Sequence, residues 1–147
     1  MQLTMEGCFI NLMSAGCPIV MDKTILVVED QRLSRIMILN TLTKKYGLQC
    51  IAAEDGREAL KLLRSNEVGL ILTDLRMPVL DGLELIKVIR EGAIPLKVSR
   101  DIPIVVLSAE EGAMLDDARK LQISGCFIKK EPIDSLVPKL RELLKID

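Results

Sequence analysis

Short apolar runs alternate strictly with helix-period patterns from Asp22 onward, and this alternation limits the fold more than any other feature. Ile25-Leu26-Val27-Val28 is continuously apolar, as a strand buried on both faces must be. Residues 31–46 then place Ile38, Leu39, Leu42 and Tyr46 on one helical face, and Gly47 ends the helix. "QCIAA", "GLILTD", "IPIVVLS" and "CFIKK" supply four more strands. Asp55 caps the helix that follows the second strand, with Glu58 close to a capping box and Ala59, Leu60 and Leu63 inward. Asp81 and Glu84 repeat that logic ahead of Leu85, Ile86 and Ile89. Met114, Ala118 and Leu121 keep helical spacing. Leu136, Leu140, Leu143 and Leu144 mark the last helix. Pro138 fits only a first turn, so that helix is expected to start at Asp134 or Ser135.

Strands separated by helices cannot pair as hairpins, so the expectation is a parallel α/β sheet with helices on both faces. A chain of 147 residues with 49% hydrophobic content suits one domain with one good core. Residues 22–147 are taken as that domain. Residues 1–21 hold one charge, Glu6, and lack the basic start of a signal peptide. Asn11, Ser14 and Pro18 interrupt the apolar run too often for a bilayer span. The segment is expected to lie outside the fold, as an overlong start before Met21-Asp22, and the protein is expected to be cytoplasmic with no membrane contact.

The chain has no histidine, which excludes Ser-His-Asp and Cys-His catalysis, histidine metal sites and an internal phosphohistidine. A net charge of −1 and 2% aromatics give no basic patch or stacking platform for nucleic acid. Cys50 and Cys126 stand in apolar runs, and the four cysteines form no C-x-x-C pair. They read as buried free thiols of a reducing compartment.

In parallel sheets ligands sit at the carboxyl ends of the strands. Here those ends carry Glu29-Asp30, Asp74, Ser108 and Lys129-Lys130. Taken singly, Asp30 reads as a helix cap, Asp81 as a cap, and Lys130 as a solvated charge. Taken together, three carboxylates repel one another and invite a divalent cation. An all-oxygen set without His or thiolate selects a hard ion, Mg²⁺. A lysine opposite and a serine hydroxyl complete a set in which Asp74 acts as a nucleophile toward phosphorus.

"ILVVED", "EDGREAL", "LILTDLRMPVLDGLEL", "IPIVVLSAEE" and "GCFIKKEPI", in that order, resemble the response-regulator receiver domain of two-component signalling over about Lys23 to Ile146. The resemblance implies a flavodoxin-like, doubly wound five-stranded parallel sheet of order 2-1-3-4-5. It implies Asp74 as phosphoacceptor, with Asp30 as direct Mg²⁺ ligand, Glu29 as its acidic neighbour and the Arg76 carbonyl as a further ligand. Ser108 matches the switching hydroxyl and Phe127 the aromatic that follows it. The spacing Phe127-Ile128-Lys129-Lys130 assigns the active lysine to Lys130, with Lys129 the alternative; alternation lets only one point into the site. Glu131 stands where the family usually has proline, which puts a cis peptide there in doubt. Arg76 and Glu110 are expected to pair at the mouth and slow loss of the phosphoryl group.

The implied partners are a sensor histidine kinase or phosphotransfer protein and a downstream output protein or domain. Homodimerisation stays open. The chain is not expected to be an enzyme beyond self-phosphorylation from a donor and autodephosphorylation. The output surface would be the face of helix four, strand five and helix five. The alternative is a degenerate receiver that acts as a phosphorylation-independent interaction module. An aspartyl phosphatase is a third reading, weakened because Arg76 stands where a second aspartate is usual. The stretch "REGAIPLKVSRDIP" is longer than the usual connection and is expected to be a surface insertion; the alternative is a partner contact through Ile94, Leu96 and Val98.

Overall fold

The computed structural model describes residues 23–109 and 111–146. Residues 1–21 and Glu110 therefore lie outside the described residues. In chain order the elements are β1 (Ile25–Val28), α1 (Arg32–Asn40), β2 (Cys50–Ala53), α2 (Gly56–Ser65), β3 (Leu70–Asp74), α3 (Gly82–Glu91), β4 (Ile104–Ser108), α4 (Ala113–Arg119), β5 (Gly125–Ile128) and α5 (Val137–Leu144). The five strands form one parallel sheet of order β2-β1-β3-β4-β5, as expected.

Period-two alternation divides the core into two layers. Ile25, Val27, Leu70, Leu72, Val105, Leu107 and Phe127 face α1 and α5, where Ile38, Leu42, Leu140 and Leu144 meet them. Leu26, Val28, Ile71, Ile104 and Val106 face the other way, onto Leu60, Leu63, Leu85, Ile86, Ile89 and Leu115 of α2, α3 and α4. Each fully buried leucine or isoleucine contributes about 2 kcal/mol by leaving water. Burial on both faces explains why β1, β3 and β4 read as unbroken apolar runs.

The helix ends follow their sequence signals. Asp81 and Glu84 form a reciprocal capping box at 2.8 and 3.1 Å. Asp55 accepts from the Glu58 N–H at 2.8 Å, while Glu58 reaches back to the Glu54 N–H instead of to Asp55. Helix α1 runs on through a π-type turn at Thr41–Lys45 to Gly47, whose φ of 68° ends it. Within that turn the Thr43 hydroxyl donates to the Leu39 carbonyl, a competitor for the helical ladder. A 3₁₀ turn at Ile133–Leu136 precedes α5, so the last α-helix begins slightly later than the expected Asp134 or Ser135, with Pro138 in its first turn.

The long connection after α3 is a packed element of the fold. Leu96 and Val98 lie against the core, and the Lys97 N–H donates to the Leu63 carbonyl. The Arg90 guanidinium donates to the carbonyls of Arg100, Ile102, Leu121 and Gln122, tying the loop down. Two of the three apolar residues considered for a partner contact are thus used internally.

Candidate functional site

Strand register builds the site. Val28 pairs with Thr73, and Asp74 with Leu107, so Glu29 and Asp74 follow side by side at the ends of β1 and β3. Both share the parity of the α1/α5 face, as does Lys129 just beyond β5. The Lys129 N–H donates to the Ser108 carbonyl, extending the ladder by one step. Lys129 Nζ then lies 2.7 Å from Glu29 Oε1 and 2.9 Å from Asp74 Oδ2.

This geometry corrects the lysine assignment. Lys130 is exposed on the turn after β5, while Lys129 enters the site. Counting from the aromatic residue pointed to Lys130; the parity of the sheet selects Lys129. Phe127 is corrected by the same parity. It is buried among Leu107, Leu136 and Leu140, on the opposite face from Ser108. On the Ser108 face β5 presents Cys126 and Ile128; Cys126 is exposed and free, against the expectation of burial. The Arg119 guanidinium lies against its sulfur at 3.5 Å.

Glu29 is fully buried, and its second oxygen accepts from the Gln31 N–H at 3.2 Å. Burial raises its pKa above the ordinary carboxylate value, and the neighbouring Asp74 charge adds to this against the opposing pull of Lys129. Burial alone would lower the Lys129 pKa, but the bonds to Glu29 and Asp74 outweigh it and hold the ammonium protonated. Asp74 is buried at 8% exposure, and its Oδ1 accepts from the Leu75 N–H at 2.8 Å. Gly82 makes room beside it: a Cβ there would fall 2.0 Å from the Asp74 carbonyl oxygen.

Asp30, Asp74, Arg76, Ser108 and Lys129 line one open cleft. Carboxylate oxygens of Glu29, Asp30 and Asp74 lie within 4.8 Å of one another. This donor set fits a hard divalent cation: it is all oxygen, it carries three negative charges when ionised, and it holds one compensating lysine. Gln31, not Asp30, occupies the cap position of α1 and makes no side-chain cap bond, so Asp30 is not spent on the helix. The Arg76 side chain is exposed at the mouth.

A residue that sequence reasoning missed is Arg35. Its guanidinium donates to the carbonyls of Glu29, at 2.8 Å, and Asp30, at 3.4 Å. Its only sequence signal is a basic residue one turn into the helix that follows an acidic pair.

Residues 25–141 match the family described as the response regulator receiver domain. The chain belongs to that family. A chemotaxis protein CheY homolog of Campylobacter jejuni is 36% identical over 122 residues, 82% of this chain and 91% of that protein. The polar-differentiation response regulator DivK of Brucella ovis is 32% identical over 127 residues, 85% of this chain and 95% of its own. A receiver domain of a Francisella response regulator superposes with a TM-score of 0.71 at 28% identity, covering 84% of this chain and 97% of that one. The response regulator TrrA of Thermotoga maritima, in complex with Mg²⁺-BeF, gives 0.69 at 30% identity, with 82% and 98% covered. As a receiver domain the chain is a signalling module of two-component regulation. Among the described residues no helix is long and apolar enough to cross a membrane.

Proposed function

We propose that Asp74 accepts a phosphoryl group from a phosphohistidine on a partner kinase or phosphotransfer protein. An Asp74 carboxylate oxygen attacks phosphorus, a P–O bond forms, and the P–N bond to the donor imidazole breaks with its electron pair returning to nitrogen. The Leu75 N–H fixes the rotation of the Asp74 carboxylate. Lys129 places a positive charge beside it, where the transferred oxygens gather negative charge. The Ser108 hydroxyl, in the same cleft, is suited to donate to one of those oxygens. Glu29, Asp30, Asp74 and the Arg76 carbonyl would hold Mg²⁺, which supplies charge neutralisation at the phosphoryl oxygens when bound.

The observation that carries this reading is the lysine shared by Glu29 and Asp74 beside a third carboxylate. Leu33 and Met37 are exposed on α1, the helix that follows the acidic turn, and Val79 is exposed in the turn after β3. They suit a docking donor protein. The phosphorylated state would then change the affinity of the α4-β5-α5 face for an output protein. The exposed Arg76 is proposed to slow loss of the phosphoryl group, so that Arg76→Ala decays faster; its expected partner Glu110 lies outside the described residues.

Incubation with acetyl phosphate and Mg²⁺, followed by phosphate-affinity electrophoresis, tests the proposal. A retarded species that needs both reagents is expected. An unmodified protein would favour the interaction module that works without phosphorylation.

A further inference from the structure

We infer that Arg35 is a positioning residue that aims the Asp30 carboxylate at the divalent cation; this rests on the function proposed above. The three acids of the cluster are held in different ways. Glu29 is fixed at both oxygens, by Lys129 and by the Gln31 N–H. Asp74 is likewise fixed at both, by the Leu75 N–H and by Lys129. Among the described residues, nothing donates to the Asp30 carboxylate, so the backbone sets the direction in which its side chain leaves the chain.

That backbone is held by Arg35. One nitrogen, Nη1, donates to the carbonyl of Glu29 and to that of Asp30, the two peptide units that flank the Asp30 Cα. Fixing both carbonyls fixes φ and ψ of Asp30 and therefore the direction of its Cα–Cβ bond. Arg35 is itself anchored, because its N–H donates to the Gln31 carbonyl at 2.9 Å as part of the first turn of α1. The rigid helix thus sets the angle of the acidic turn. The guanidinium also brings a positive charge to the backbone of a cluster crowded with carboxylates, without entering the cleft.

Calorimetric titration of the full chain with Mg²⁺ alone tests this, on the unsubstituted protein, Arg35→Ala, Arg35→Lys, Asp30→Asn and the Arg35→Ala/Asp30→Asn pair. Arg35→Ala is expected to weaken Mg²⁺ about tenfold, the scale of losing an outer residue that orients a ligand. Arg35→Lys is expected to weaken it less, because a lysine amine holds one carbonyl at a time. With Asp30→Asn in place, Arg35→Ala should add less than about twofold, since its effect passes through Asp30. Unchanged affinity in Arg35→Ala, or an equal loss with and without the Asp30 carboxylate, overturns the inference. If the alanine variant fails to fold, Arg35→Lys decides, and affinity equal to the unsubstituted protein overturns it. No Mg²⁺ uptake by the unsubstituted protein overturns the proposed function, and this inference with it.

Discussion

Lys129 reaches over the end of β4 to bond Asp74 on β3 at 2.9 Å, and the same ammonium reaches Glu29, just past β1, at 2.7 Å. A single side chain therefore gathers three strand ends. Its neighbour Lys130, one residue on and of opposite parity, is exposed.

Substitution of the two lysines separates them. Lys129→Ala is expected to slow phosphoryl uptake by about tenfold or more, as loss of a charge poised for the transferred group does. Lys130→Ala is expected to stay within about twofold, as exposed substitutions do. Initial rates with acetyl phosphate check both. Equal losses would mean that the parity argument misassigns the lysine.

Unbroken apolar runs made the sheet legible in the sequence. β1, β3 and β4 are covered on both faces, so their apolar runs are unbroken, and a strand–helix alternation has few ways to pack. Asp81 was legible because a capping box is a local device. Lys129 was harder to place, because the choice depends on which face Phe127 occupies, and that is fixed by α1 and α5 packing on it. Arg35 was not legible, because its partners are backbone carbonyls, which carry no residue identity. Cys126 looked buried within its apolar run, but it lies on a sheet-edge strand beside a short α4 and remains exposed.

Val79 sits at φ 72° and is 70% exposed. A β-branched residue in the left-handed region is strained, and no burial offsets that strain here. Val79→Asn is expected to raise stability by about 1 kcal/mol, read as a higher midpoint in thermal denaturation. A lower midpoint would mean that the valine makes a contact that this conformation hides.

Gly82 has no room for a side chain, since a Cβ would lie 2.0 Å from the Asp74 carbonyl oxygen and 2.8 Å from the Leu75 Cα. Both obstacles are backbone and cannot rotate away. Gly82→Ala is expected to cost about 3 kcal/mol in urea denaturation and to impair uptake at Asp74. A near-neutral change would show that the turn relaxes freely.

Burial pushes the Cys50 thiol up to about 12. Almost none of it is thiolate at pH 8, and access is also limited, so alkylation should be slow until pH approaches that value or the chain unfolds. Cys126 is exposed and should be modified before Cys50. Peptide mass spectrometry after brief iodoacetamide treatment at pH 8 checks the order; faster labelling of Cys50 would contradict the partial burial of its side chain.

Locating the phosphoryl group tests the central claim most directly. The unsubstituted protein and Asp74→Asn are incubated with acetyl phosphate, with Mg²⁺ or with excess chelator, and intact mass is followed over time. A gain of one phosphoryl group by the unsubstituted protein, dependent on Mg²⁺ and absent from Asp74→Asn, is the predicted result. The same gain in Asp74→Asn, or none in the unsubstituted protein, would contradict the account.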